Sequence, residues 1–358
     1  MSVDAPASGV LTPRVTKPKM SVANAPWILP VRAIQVAIWE IAALAVLLAY
    51  TVDGVSQPLQ ITIAAIAGLI FVATSVRVAG KHLAGWALTW LGHRLRRHDS
   101  RRDSPDPLHR IAGALKVRQH VDRAGNRFGV AEIDGGWSAI VRLKGPMTPD
   151  TATVVRILRD TYRRADIPLS TAQLLTWTVA RGQTGKPYRV HWLTVRYRPD
   201  EAPVAALARG GGELGALRST ACAALGLMGA LAEAGYESTV LEANELAEEL
   251  RVALGAGRQA EPVDAWRSWT AGQATQVCFA PVAEHDAIGA LDVFVPAAAF
   301  TASSYTLRRT PGGKEKADVV IRVGGSDVGA SELGVRAVPL HGRHASGVRR
   351  SLPLALVS

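Results

Sequence analysis

The chain has 358 residues, 48% of them hydrophobic, a formal net charge of +11 and two cysteines. The positive excess suggests nucleic acid, but its distribution excludes a basic nucleic-acid module, which would concentrate the excess inside a folded domain. Cys222 and Cys278 form no C-x-x-C pair, and so few cysteines fit a reducing compartment. Residues 1–33 hold four basic residues and one acid, and residues 77–127 hold twelve basic and four acidic. Residues 128–358 are nearly balanced, with 25 basic and 23 acidic. The excess therefore flanks the segment 34–76, which carries only Glu40 and Asp53 as charges.

In chain order, residues 1–30 read as a basic, Pro-containing, disordered cytoplasmic tail. Two apolar runs follow, Ile34–Tyr50 and Leu59–Val76, neither with a Lys or Arg. A bilayer core of about 30 Å needs roughly 17–25 mostly apolar residues, so the region 31–78 is predicted as a two-helix transmembrane hairpin. Its connector holds Asp53-Gly54 and Pro58, which are turn residues. A signal peptide does not fit, because a polar segment precedes the runs and a second run follows at once. A soluble αα-hairpin would show a charged face on each helix. Lys and Arg near span ends favour the cytoplasmic side. Both termini are therefore expected in the cytoplasm, in a two-pass protein of the inner membrane.

Glu40 sits mid-span, where an ionisable residue is by default a functional candidate. Either it contacts a helix of another subunit, or it is protonated or tucked against the second helix. Residues 79–107 read as an amphipathic juxtamembrane helix and linker. Trp86 and Trp90 suit a membrane interface, and Arg94, Arg96 and Arg97 suit the headgroup region. This helix either continues the second span or lies on the lipid surface.

Residues 108–358 are predicted to form a mixed α/β cytoplasmic domain, so that the whole chain is of α+β class. Strands are expected at Leu115–Val121, Arg127–Ile133, Trp137–Leu143, Gln173–Ala180 and Tyr188–Tyr197. Asp134-Gly135-Gly136 suits a hairpin turn. Helices are expected at Pro149–Ala165, about Leu214–Ala234 and Ala243–Leu254. Further strands are expected at Tyr236–Leu241, Thr275–Ala280, Ala299–Arg308, Ala317–Val323 and Val335–Leu340.

Arg209–Arg218 contains G-x-G-x-x-G as Gly210, Gly212 and Gly215. A dinucleotide fingerprint needs those glycines directly after a strand, and here an Ala-rich stretch intervenes. The alternative, a membrane-anchored nucleotide- or dinucleotide-dependent enzyme using Gly210–Gly215, therefore ranks second. No Walker, H-E-x-x-H or G-x-S-x-G motif occurs. His341 and His344 lie in a Gly/Arg-rich tail and read as an exposed loop. No catalytic, cofactor or metal residues are expected.

The order of several segments resembles the EccE family of actinobacterial type VII (ESX) secretion systems. They are Tyr188–Pro199 (YRVHWLTVRYRP), Arg209-Gly210-Gly211-Gly212 with Gly215 and Arg218, Ala234-Gly235-Tyr236, an acidic helix at Glu242–Glu249, and Trp266–Trp269 (WRSW). The resemblance extends over the hairpin and about 128–280. It implies a non-enzymatic structural subunit of an inner-membrane protein secretion complex, with EccB, EccC and EccD as partners and EccC as the ATPase. The docking candidates are then Glu40, Arg209, Gly210, Gly211, Gly212, Gly215 and Arg218, with membrane lipids as a further partner.

Overall fold

The structure is a computed structural model that describes residues 19–20, 33–52, 54, 56–78, 81–97, 106–145, 149–181, 187–258, 260–282, 286–310, 312–325 and 329–357. Its helices are α1 (Ala33–Thr51), α2 (Gln57–Ser75), α3 (Leu83–Arg97), α4 (Pro107–Ala112), α5 (Thr151–Tyr162), α6 (Pro203–Leu207), α7 (Gly212–Glu233), α8 (Ala243–Leu254), α9 (Asp286–Gly289) and α10 (His344–Arg350). Its strands are β1 (Lys19–Met20), β2 (Arg77–Val78), β3 (Lys81–His82), β4 (Lys116–Val121), β5 (Arg127–Ile133), β6 (Gly136–Leu143), β7 (Thr171–Val179), β8 (Tyr188–Tyr197), β9 (Ser238–Val240), β10 (Pro262–Asp264), β11 (Trp269–Ala271), β12 (Ala274–Pro281), β13 (Phe300–Arg309), β14 (Glu315–Gly324) and β15 (Ala337–Pro339). The rest of the 1–30 tail, Asp53, Gly80 and residues 98–105 of the expected linker lie outside the described residues.

A large sheet runs in the order β10-β11-β12-β14-β13-β7-β8-β6-β5-β4, and every neighbouring pair in that order is antiparallel. The chain is thus mixed α+β, as its pattern predicts. Alternation explains the layering, because successive strand residues point to opposite faces. On β8, Leu193, Val195 and Tyr197 enter one core and Trp192 the other. The first core is covered by α5, α6 and α7, and the second by α4, α8, α10 and the C-terminal segment. Asp134 and Gly135 both take positive φ, 49° and 70°, which a two-residue turn between twisted strands requires. Asp150 caps α5 by accepting from the backbone N–H of Ala152 and Thr153.

The second face differs from expectation at its end. His344 is fully buried at the start of α10, and its Nδ1 accepts the Cys278 N–H at 3.1 Å. Leu352, Leu354 and Leu356 are buried behind it. A row of strand side chains secures this segment. Ser138 Oγ donates to Leu354 O at 2.9 Å, Thr194 Oγ1 to Pro353 O at 2.9 Å, and Thr171 Oγ1 to Ala355 O at 2.6 Å. Buried hydroxyls need such partners, so this face binds a backbone where an apolar face would bind only side chains. Cys278 is buried, whereas Cys222 is exposed on α7.

The apolar helices pair with each other. Gln35 Nε2 donates to Thr74 O at 2.7 Å, and Trp39 Nε1 donates to Thr74 Oγ1 at 2.8 Å. The Trp39 and Phe71 rings lie 5.0 Å apart. By length and composition α2 could cross a membrane, and no residue of its most apolar stretch is buried. α7 also passes that test, but half of its apolar stretch is buried in the domain core.

Candidate functional site at the glycine turn

The chain leaves β8 at Tyr197, whose hydroxyl donates to Ala202 O at 2.5 Å and so fixes the exit. α6 follows, and the chain then reverses through Gly210, Gly211 and Gly212, with φ of 110°, 69° and 54°. Three successive residues in this region demand glycine, because a Cβ would strain each one. Gly211 N–H donates to Ala206 O at 2.9 Å and closes the turn. Gly215 has a different task. A Cβ there would stand 2.2 Å from Ala206 O, so its hydrogen lets α7 pack directly on α6. Ser219 Oγ adds a bond to Ala205 O at 3.2 Å.

The two arginines join this turn. Arg218 Nη1 donates to Arg209 O at 3.0 Å, and Arg209 Nη1 donates to Ala205 O at 3.1 Å. The structure therefore brings Arg209, Gly210, Gly211, Gly212, Gly215 and Arg218 into one place. The turn follows a helix, not a strand, which is not the setting of a dinucleotide fingerprint. Val204, Leu207 and Leu214 stand beside it, 75%, 69% and 45% exposed. The sequence offered no signal for Val204 and Leu207, since a five-residue helix shows no full apolar period.

Glu40 lies elsewhere, on α1, and is exposed. Gln35, Trp39, Ala42, Ala43 and Val46 face α2, whereas Ile41 and Leu44 are exposed like Glu40. Glu40 is thus not tucked against the second helix.

Helix α3 seats on the domain. Trp86 lies 5.8 Å from the Trp266 ring and 6.3 Å from His341. His93 Nδ1 approaches Asp264 Oδ2 at 3.6 Å, and Arg343 Nη2 donates to Thr89 Oγ1 at 3.1 Å. Trp90 is exposed, with the Arg94 guanidinium 5.4 Å from its ring. The side chains of Arg96 and Arg97 lie outside the described residues. Next to this contact, burial first and then the charges of His341 and His93 push His344 down to about 4, so it is neutral at pH 7. Trp266 and Trp269 divide their work, as Trp269 is buried in the second core while Trp266 receives α3.

A comparison with curated proteins gave no match. A family model described as "Putative type VII ESX secretion system translocon, EccE" matches residues 187–281. That span runs from β8 through the glycine turn, α7 and α8 to β12, and includes both Trp266 and Trp269. The chain is thus similar to the EccE family over residues 187–281, the stretch that holds the glycine turn.

Proposed function

We propose that the chain is a non-enzymatic structural subunit of a type VII secretion translocon, working beside EccB, EccC and EccD. The observation that carries this reading is the family match over 187–281, a stretch that includes the glycine turn and the exposed Val204, Leu207 and Leu214 beside it. In this reading α1 and α2 form a hairpin that crosses the inner membrane twice, with both termini cytoplasmic. The length of α2, the apolar exposed surfaces of both helices and the basic residues flanking them support that placement. Glu40 then meets a polar group on a neighbouring subunit's helix, because an outward carboxylate at mid-span is costly without a partner. Trp90, Arg94, Arg96 and Arg97 lie at the lipid headgroups, and Arg209 to Arg218 form a docking element.

A tagged chain purified in mild detergent tests this. EccB, EccC and EccD should co-purify in a complex, and Glu40→Leu should lower their yield. A solitary monomer would overturn the reading.

A further inference from the structure

The glycine turn and its flanking helices present exposed apolar side chains, Val204, Leu207 and Leu214, beside the cationic Arg209 and Arg218. Leu207 Cδ2 lies 3.8 Å from where a Gly211 Cβ would stand, and Leu214 Cδ2 lies 3.8 Å from that of Gly210. Arg218 Nη1 is 3.1 Å from the same Gly210 position. Val204 lies one helical turn before Leu207 and is three-quarters exposed. Large apolar side chains clustered in this way, with a polar rim, mark contact sites more often than inert surface.

The charge at the rim selects the partner. Glu213, the carboxylate next to the turn, is taken by Arg118 at 2.8 Å. Arg209 and Arg218 donate to backbone carbonyls, and among the described residues neither pairs with a carboxylate. A guanidinium keeps several N–H donors in a planar fork, which matches a carboxylate best. Resting on the translocon reading above, we infer that this surface docks a segment of a different polypeptide that places an Asp or Glu among apolar side chains. The apolar residues would cover Val204, Leu207 and Leu214, and the acid would meet Arg209 and Arg218.

Two other occupants fit less well. A second copy paired across a two-fold axis would set the same patch against itself and bring arginine against arginine. A lipid surface is disfavoured by position. α6 and α7 cover one face of the sheet, whereas α3, which leads from the apolar helices, seats at Trp266, Asp264 and Arg343 beside the other face.

The test places a photo-crosslinking phenylalanine analogue at Leu207 in the full chain, irradiates native membranes, and sequences the linked peptide. The expected product is a peptide from another polypeptide with an acid within a few residues of apolar ones. Its yield should fall at least tenfold in Arg218→Glu and in Val204→Asp, with the thermal midpoint of the purified chain unchanged. A link to lipid, to a second copy of this chain, or to a peptide without an acid overturns the proposal. So does an unchanged yield in both variants. The same membranes are probed for the assembled complex: a complex present with no link at Leu207 overturns the docking surface alone, and no complex overturns the translocon reading with it.

Discussion

Replacing Arg322 by methionine should destabilise the domain by about 2 kcal/mol. Arg322 lies on β14 and is fully buried. Its Nη1 donates to Leu254 O at 3.0 Å and to Gln276 Oε1 at 2.9 Å, and its Nη2 donates to Ala253 O. Phe300 stacks 5.2 Å from the guanidinium. Ala253 and Leu254 end α8, so the cation sits where the helix dipole is negative, a placement worth up to about 2 kcal/mol when partly buried. Methionine fills similar space but leaves Ala253 O and Gln276 Oε1 without this donor, and each such buried acceptor costs about 1–3 kcal/mol. Leu254 O keeps its bond from Gln276 Nε2 at 2.8 Å. Against these losses stands the cost of burying the cation, which pushes Arg322 down to about 10 and is worth about 3 kcal/mol. The balance is a net loss of about 2 kcal/mol, or roughly 4–8 °C in thermal midpoint for a domain of this size. Arg322→Lys should lose at least as much, because it keeps a buried charge but gives up the fork. Thermal unfolding followed by tryptophan fluorescence measures both variants. A methionine variant as stable as the parent would refute the assignment of this arginine as the staple between α8, β12 and β14.

Other consequences are equally direct. Burial, and then Arg189, pushes His191 down to about 4, as burial also does for His344. The unfolded chain binds those protons from about pH 6.5 downward, so stability is full above that value and falls between pH 6.5 and 4, by about 3 kcal/mol per histidine. Equal urea midpoints at pH 7.5 and pH 5 would contradict this. Gly215→Ala should cost roughly 1–3 kcal/mol by forcing α6 off α7. Gly229→Ala on the same helix meets nothing within 4 Å and should gain up to about 1 kcal/mol. If the two melts shift alike, the close contact at Ala206 is not what Gly215 serves. Trp86→Ala should release α3 from Trp266 and His341, seen as at least fivefold faster tryptic cleavage near Arg94 at unchanged domain stability. An unaltered cleavage rate would mean that α3 is held by other contacts.

What the sequence made legible was local and periodic. Tyr188–Tyr197 alternates cleanly, and β8 has those limits. Asp134-Gly135 carries its turn chemistry in two adjacent residues, and the dihedrals follow. α8 begins where Glu245 can accept the Glu242 N–H at 3.0 Å and ends at Gly255 in the left-handed region, both readable from nearby residues. What stayed hidden was short or long-range. α4, α6, α9 and α10 are too brief for a 3.6-residue period to declare itself. His344 looked exposed because glycine and arginine surround it, yet its burial depends on Cys278 and on hydroxyls of β6, β7 and β8. In the glycine turn the residue types were visible but not their division of labour. Gly210, Gly211 and Gly212 supply dihedrals, Gly215 supplies space, and only the fold tells one from the other.

That division explains why a glycine-rich run stands here without a nucleotide motif. A phosphate-binding loop needs its glycines between a strand and a helix, so that the backbone can approach a ligand at the sheet's edge. Here α6 intervenes, and the close approach made possible by Gly215 is to Ala206 of the protein itself. The glycines are spent on folding two helices tightly together, and the product is an outward ridge of Val204, Leu207 and Leu214 beside two arginines. α3 attaches beside the opposite face of the same sheet through Trp266, Asp264 and Arg343. Between them lies a continuous hydrogen-bonded ladder whose two faces are each packed into a core. A packed core deforms little. The sheet therefore holds the glycine turn and α3 in a fixed relation, and a contact made at one is positioned by the other.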